Sequence, residues 1–160
     1  MQVHILCNND CLVVDGVRYH HHPNGGGLVA CTAKVEKTVF IGPFVVVSGN
    51  VTISDNVEIT GHVRVSACAV IRNNVKISDD VQISGNPQIS ENARIFGKVE
   101  ITGQPRIGGS CRISDNVQIS GNPFITGNAR LSGNLKVSGS PKITGNASAS
   151  AGAVTHGTRC

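Results

Sequence analysis

The 160-residue sequence has no tryptophan, one methionine, one tyrosine and only four phenylalanines. With so few rings it offers no platform for stacking bases, so sequence-specific nucleic-acid reading is not expected. No apolar run approaches the ~20 residues of a membrane-spanning helix. Met1-Gln2-Val3-His4-Ile5 is also too short and polar a lead for a secretory signal. A cytoplasmic protein without membrane contact is the expectation. Charged residues make up only 15% of the chain, and acidic ones stop at Asp115, while Arg130, Lys136, Lys142 and Arg159 continue. The distal end of a chain with formal net charge +4 is therefore cationic. The six cysteines (Cys7, Cys11, Cys31, Cys68, Cys111, Cys160) lack the paired spacing of a disulfide framework and read as reduced, small, half-buried residues.

What the chain does have is a repeat. From Val29 to Val154 a six-residue unit recurs 21 times with no insertion or deletion, and its first position is Val, Ile or Leu in 20 units, failing only at Ala149. The fifth position is apolar or small (Val51, Val57, Ala69, Ala93, Cys111) or proline (Pro87, Pro105, Pro123, Pro141). First and fifth positions should point inward, with the second and sixth outward. Gly or Asp fills the third position in 14 units and Asn the fourth in 10, residues that tolerate turn and left-handed backbone at low cost. Each unit thus reads as a short strand followed by a corner, the signature of a β-solenoid. Three units should close a triangular coil, giving seven coils and, at ~4.8 Å between stacked strands, a rod roughly 34 Å long.

Ile53-Ser54-Asp55-Asn56-Val57-Glu58 and Ile113-Ser114-Asp115-Asn116-Val117-Gln118 carry a family resemblance. Aliphatic, small, Asp, Glu or Gly, Asn, small apolar, any: this unit resembles that of the hexapeptide-repeat, left-handed β-helix superfamily. The resemblance implies an all-β, single-stranded, left-handed parallel β-helix; the general rule for parallel crossovers alone would favour the right hand. On this reading residues 1–28 form a short N-terminal β cap with a Gly-rich linker, 29–154 the helix and 155–160 a flexible tail. In the cap, Val3 to Cys7 reads as a strand and Cys11 to Tyr19 as one or two more, broken at Asp15-Gly16.

Stacking the sequence at a period of 18 exposes columns. The prolines form one ladder, placed at a corner because proline cannot donate inside a sheet. Ser84, Thr102, Ser120 and Ser138 form a hydroxyl ladder. The sharpest column is Glu58, Lys76, Arg94, Arg112, Arg130, whose cations lie one strand apart and repel their neighbours by about 0.8 kcal/mol at the dielectric of water. Lys76, Arg94, Arg112 and Arg130 are therefore the candidate binding residues for an anionic ligand or an acidic partner. His4, Cys7, Cys11, His20, His21 and His22 are potential zinc donors, but Cys-x3-Cys with a His run lacks the usual finger spacing, and no metal is assigned.

The resemblance also implies chemistry. In the acyltransferases of this superfamily a histidine is the general base and acyl-coenzyme A lies between subunits of a trimer. His62 is the one histidine between Val29 and Val154 and the candidate base, although no inserted loop builds an acceptor pocket beside it. Ala69-Val70-Ile71-Arg72-Asn73-Asn74 is similar to a segment of the γ-class carbonic anhydrases, but Asn74 stands where that family has Asp and its His ligands are missing, so no metal hydroxide is expected. The reading favoured is a non-catalytic binding or assembly protein that meets a protein partner or its own copies and needs no cofactor. Its rivals are a trimeric acyltransferase using acetyl-coenzyme A, and an accessory protein of a phage or mobile element that blocks a host partner.

Overall fold

The computed structural model describes residues 3–5 and 11–154, with side chains over 11–152; the side chains of His4 and Cys7 and the 155–160 segment lie outside that set. Strands β1 (Val3–Ile5), β2 (Cys11–Val14), β3 (Val17–His21) and β4 (Leu28–Ala30) open the chain. They form an antiparallel meander, β2 and β3 joined by a turn at Asp15 and Gly16, both at positive φ. From β4 onward the pairing turns parallel, each strand bonding to the one 18 residues later, as Arg64 to Gln82 and Lys76 to Arg94. The described residues contain strands and no helix.

The result is a three-sided parallel solenoid. Its first face runs from β4 through Val46–Val47, Arg64–Val65, Asp80–Ile83, Lys98–Ile101 and Gln118–Ile119. The second runs from Lys34–Val35 to Lys142–Ile143, and the third from Phe40–Ile41 through Lys76–Ile77, Arg94–Ile95 and Arg112–Ile113. One eight-residue strand, Arg130–Val137, rounds the corner from the third face into the first and joins them into a 16-stranded sheet. Coil length and triangular section are consistent with the left-handed β-helix that the sequence resemblance implies.

Alternation explains both surfaces. First-position side chains enter the core as stacked ladders such as Ile59, Ile77, Ile95 and Ile113, each at most 1% exposed. Burying an isoleucine contributes about 1.5–3 kcal/mol, and β-branched chains fit the pleated strand. The outward residues leave their side chains in solvent while their N–H groups donate to the next coil, as Arg94 N to Cys111 O at 2.9 Å and Arg112 N to Ala129 O at 2.8 Å. The proline ladder sits where this network asks for no donor: Pro87, Pro105, Pro123 and Pro141 only accept, from the N–H groups of Val70, Gln88, Arg106 and Phe124.

Every third-position residue from Gly49 to Gly145 has positive φ, including Ala67 at 65° and Asn73 at 70°. These corners are also where two cysteines emerge. Cys31 and Cys68, expected half-buried, are exposed because they occupy the third and fourth positions of a corner. Cys11 is partly buried and Cys111, at a fifth position, is buried.

The mouth of the solenoid is closed by more than β4. The loop after β3 crosses to the first strand of the third face, where Gly27 N donates to Ile41 O at 2.9 Å and Ile41 N to Asn24 O at 2.9 Å. Gly25, at φ 108°, lies so close that a Cβ would sit 2.3 Å from Ile41 O, which leaves glycine as the residue that fits. His22 is 3% exposed beneath this loop. Its ring nitrogens lie 3.1 Å from the carbonyls of Asn24 and Glu36, pinning loop to coil.

Candidate functional site

The third face carries the column singled out by spacing. Phe40, Glu58, Lys76, Arg94, Arg112 and Arg130 are direct neighbours on successive coils, all outward. Its cations are not equivalent. Lys76 Nζ lies 2.8 Å from Glu58 Oε2 with both side chains well exposed, a pair worth at most about 1 kcal/mol. Among the described residues this is the one ion pair, so Arg94, Arg112 and Arg130 stack without a counter-ion.

Phe96 completes the site, and sequence reasoning missed it. It stands at a second position, in a column that runs Gly42, Thr60, Ser78, Phe96, Ser114, Ser132 and Ser150. Its ring lies beneath the Arg112 guanidinium, whose central carbon is 4.7 Å from the ring centroid, within the ≈ 6 Å range of a cation–π contact. A groove of about 380 Å³ opens here, lined by Lys76, Ser78, Arg94, Ile95, Phe96 and Arg112. Arg130 belongs to the column and lies outside this lining. The arrangement offers charged donors for phosphate or carboxylate oxygens along one edge and an aromatic surface beside them. The interruption of a hydroxyl column by a lone Phe was the available signal.

His62 is exposed on the corner between the third and first faces, with its ring 5.2 Å from that of Phe44 and tilted by 35°. Asp80 is the residue one coil above it. His62 is not among the residues lining the basic groove. On the first face, a second groove of about 370 Å³ is lined by Asp80, Gln82, Lys98, Glu100, Asn116 and others, both charge signs mixed.

The chain matches no family model and no curated protein. It is similar in structure to a UDP-N-acetylglucosamine acyltransferase from Francisella novicida, with a TM-score of 0.42 and 25% identity over 71% of this chain and 55% of that one. It is also similar to a UDP-N-acetylglucosamine acyltransferase from Campylobacter jejuni, with a TM-score of 0.41 and 18% identity over 75% of this chain and 66% of that one. The chain thus spans between half and two thirds of the length of these structures.

The other sequence candidates fall elsewhere. Among the described residues no group of three His, Cys, Asp or Glu side chains is placed to hold a metal. His22 has turned into the mouth of the solenoid, and His21 Nδ1 lies 2.8 Å from Gly26 O. His20 and Cys11 face each other in the β2–β3 register. In the hydroxyl ladder, Thr102 Oγ1 donates to Ile119 O at 3.4 Å, so that hydroxyl turns to the backbone of the next coil. Among the described residues no helix is long and apolar enough to cross a membrane.

Proposed function

We propose that the chain is a binding protein whose working surface is the third-face groove. It takes an anionic ligand whose phosphate or carboxylate oxygens meet Arg94, Arg112 and Lys76 and whose apolar part lies on Phe96. The observation that carries this reading is the stacking of cations around an aromatic side chain with a single carboxylate, Glu58, in ionic contact with the column. Like charges held one strand apart gain most when an anion bridges them. Calorimetric titration with pyrophosphate and with acetyl-coenzyme A tests it. Replacing Arg94→Glu together with Arg112→Glu should weaken binding at least tenfold and leave the melting temperature unchanged. Unaltered affinity in that variant would sink the reading.

A second reading makes the same groove the seat of the phosphates of acetyl-coenzyme A and His62 the general base of an acyl transfer. Its supports are the six-residue repeat that resembles the superfamily's and the exposed position of His62 at the border of the third face. In that reading the site is shared between subunits of a trimer, which light scattering on the purified protein would report. Turnover of acetyl-coenzyme A with a panel of sugars and amines, lost in His62→Ala, would establish it. Absence of transfer by a wild-type protein that binds the cofactor would leave the binding reading alone.

A further inference from the structure

The three faces differ in charge. The third carries the cation column, and the second turns Lys34, Arg72, Arg106 and Lys142 outward while its Glu36 carboxylate accepts from the backbone N–H of Asp55. The first face alone presents both signs in equal number over its middle coils, as Arg64, Asp80, Lys98 and Glu100, all exposed. Of the eight acids between Val29 and Val154, six hold a backbone N–H or, for Glu58, the Lys76 ammonium. Asp80 and Glu100 are the other two, and both line the first-face groove together with Lys98. Asp80 and Lys98 are neighbours on successive coils, as Glu58 and Lys76 are, yet only the latter two close an ion pair. The first-face charges are therefore free to meet a partner.

We infer that the first face binds the first face of a second copy, with the two rods antiparallel. The two-fold axis runs along the strands, midway between the coil of Asp80 and that of Lys98. Such an axis inverts the order of the coils and keeps each column opposite itself. Asp80 faces the partner's Lys98 and Lys98 the partner's Asp80, so symmetry makes two ion pairs. In the next column Gln82 faces the partner's Glu100 and Arg64 the partner's Gln118, because Arg64, Gln82, Glu100 and Gln118 follow one another coil by coil. No like charges meet. Moving the axis by half a coil sets Asp80 on the partner's Asp80, or Lys98 on the partner's Lys98. A two-fold along the rods through the middle of the face sets Arg64 on the partner's Arg64 and Glu100 on the partner's Glu100. Charge thus selects one register and one direction for an isologous contact. Six coils of five-residue width give a face of roughly 450 Å² per copy, below the ≈ 800 Å² of a standard interface, so the association is of the weak, salt-sensitive kind. The axis also keeps the corner between third and first faces of one copy beside that of the other, so both basic grooves open on the same side of the dimer. The contact itself is independent of what those grooves bind.

The test is sedimentation velocity on the full chain over a concentration series. Wild-type protein should pass from monomer to dimer as concentration rises at low salt, and the dimer should weaken as salt is added. Asp80→Lys alone and Lys98→Asp alone should each weaken self-association at least tenfold, because each sets like charges at both symmetric contacts, with the melting temperature unchanged. An equal mixture of these two variants should dimerise again, now between unlike chains, since two cations on one copy meet two carboxylates on the other. The double variant Asp80→Lys with Lys98→Asp should dimerise by itself. A wild-type protein that stays monomeric throughout, a trimer, a dimer indifferent to the single variants or a mixture that does not associate would overturn the inference. A dimer lost in Arg94→Glu with Arg112→Glu and kept in Asp80→Lys would place the contact on the third face and overturn it as well.

Discussion

Two corners of the solenoid solve one backbone problem differently. Between the first and second faces the third position is Gly85, Gly103, Gly121 and Gly139 in succession, backbone stacked on backbone so closely that a Cβ on Gly121 would lie 2.4 Å from Gly139 O. Between the third and first faces it alternates, Gly61, Asp79, Gly97, Asp115, Gly133, and each aspartate reaches up to accept the N–H of the glycine above, at 2.9 and 3.0 Å. Both corners use the same left-handed conformation. The first gains closeness; the second trades some of it for a charge-assisted hydrogen bond from an N–H that the coil-to-coil ladder leaves over. Asp55, Glu36 and Glu91 make equivalent bonds between the second and third faces. With Glu58 held by Lys76, six of the ten acidic residues are engaged inside the scaffold. A nearly balanced composition therefore still leaves Arg94, Arg112 and Arg106 without carboxylates in contact.

The largest effect should come from breaking the glycine corner. Gly121→Ala places a Cβ against the carbonyl of the next coil at a φ of 77°, and should cost about 2–4 kcal/mol in urea unfolding. A loss below a few tenths would mean that the corner is looser than the structure shows. Asp115→Ala should cost about 1–2 kcal/mol by removing the bond to Gly133 while keeping a Cβ at φ 65°. Asp115→Gly should cost less, because glycine adopts that conformation freely. The opposite order between the two would show that the aspartate is tolerated at its corner, not used there.

The smallest effect concerns Cys111, whose thiol donates to Gly108 O at 2.7 Å inside the core. Burial pushes this thiol up from its ordinary value, and the nearby Glu91 carboxylate adds to the rise against the backbone hydrogen bonds that lower it. The folded state thus favours the protonated form. Its contribution is complete below the ordinary thiol pKa and is lost as pH rises toward the folded-state value. Cys111→Ala, matching Ala93 and Ala129 in its column, should flatten the alkaline end of the stability profile. Maleimide should label Cys31 and Cys68 in the native state and Cys111 only on unfolding; rapid native labelling of Cys111 would contradict its burial.

The fold was legible because a strict period forces the same side of every strand inward, and Ile53 through Ile143 say so at every sixth residue. The cation column was legible for the same reason, as the 18-residue spacing makes vertical neighbours of Lys76, Arg94 and Arg112. What escaped was the role of single departures from the pattern. Phe96 reads as one more outward residue until the Arg112 side chain is seen lying over it. Third-position acids read as turn formers, although an acid 18 residues before a glycine, as Asp79 before Gly97 and Glu91 before Gly109, already shows the bond. Side-chain reach, as distinct from backbone placement, has no period. His22 illustrates the limit again: a run of three histidines gives no sign that one of them is enclosed.

The loop that carries Gly25 and His22 has a consequence for how the chain finds its structure. Inside the solenoid one coil is nearly interchangeable with the next, so a slip of a whole coil would leave the isoleucine ladders matched and raise the core energy little. Such a slip is penalised where the chain stops repeating. The antiparallel pairing of β3 with β4 and the fit of Gly25 against Ile41 occur once, at one end. The N-terminal segment is thus an origin mark, telling a periodic polymer where its count begins.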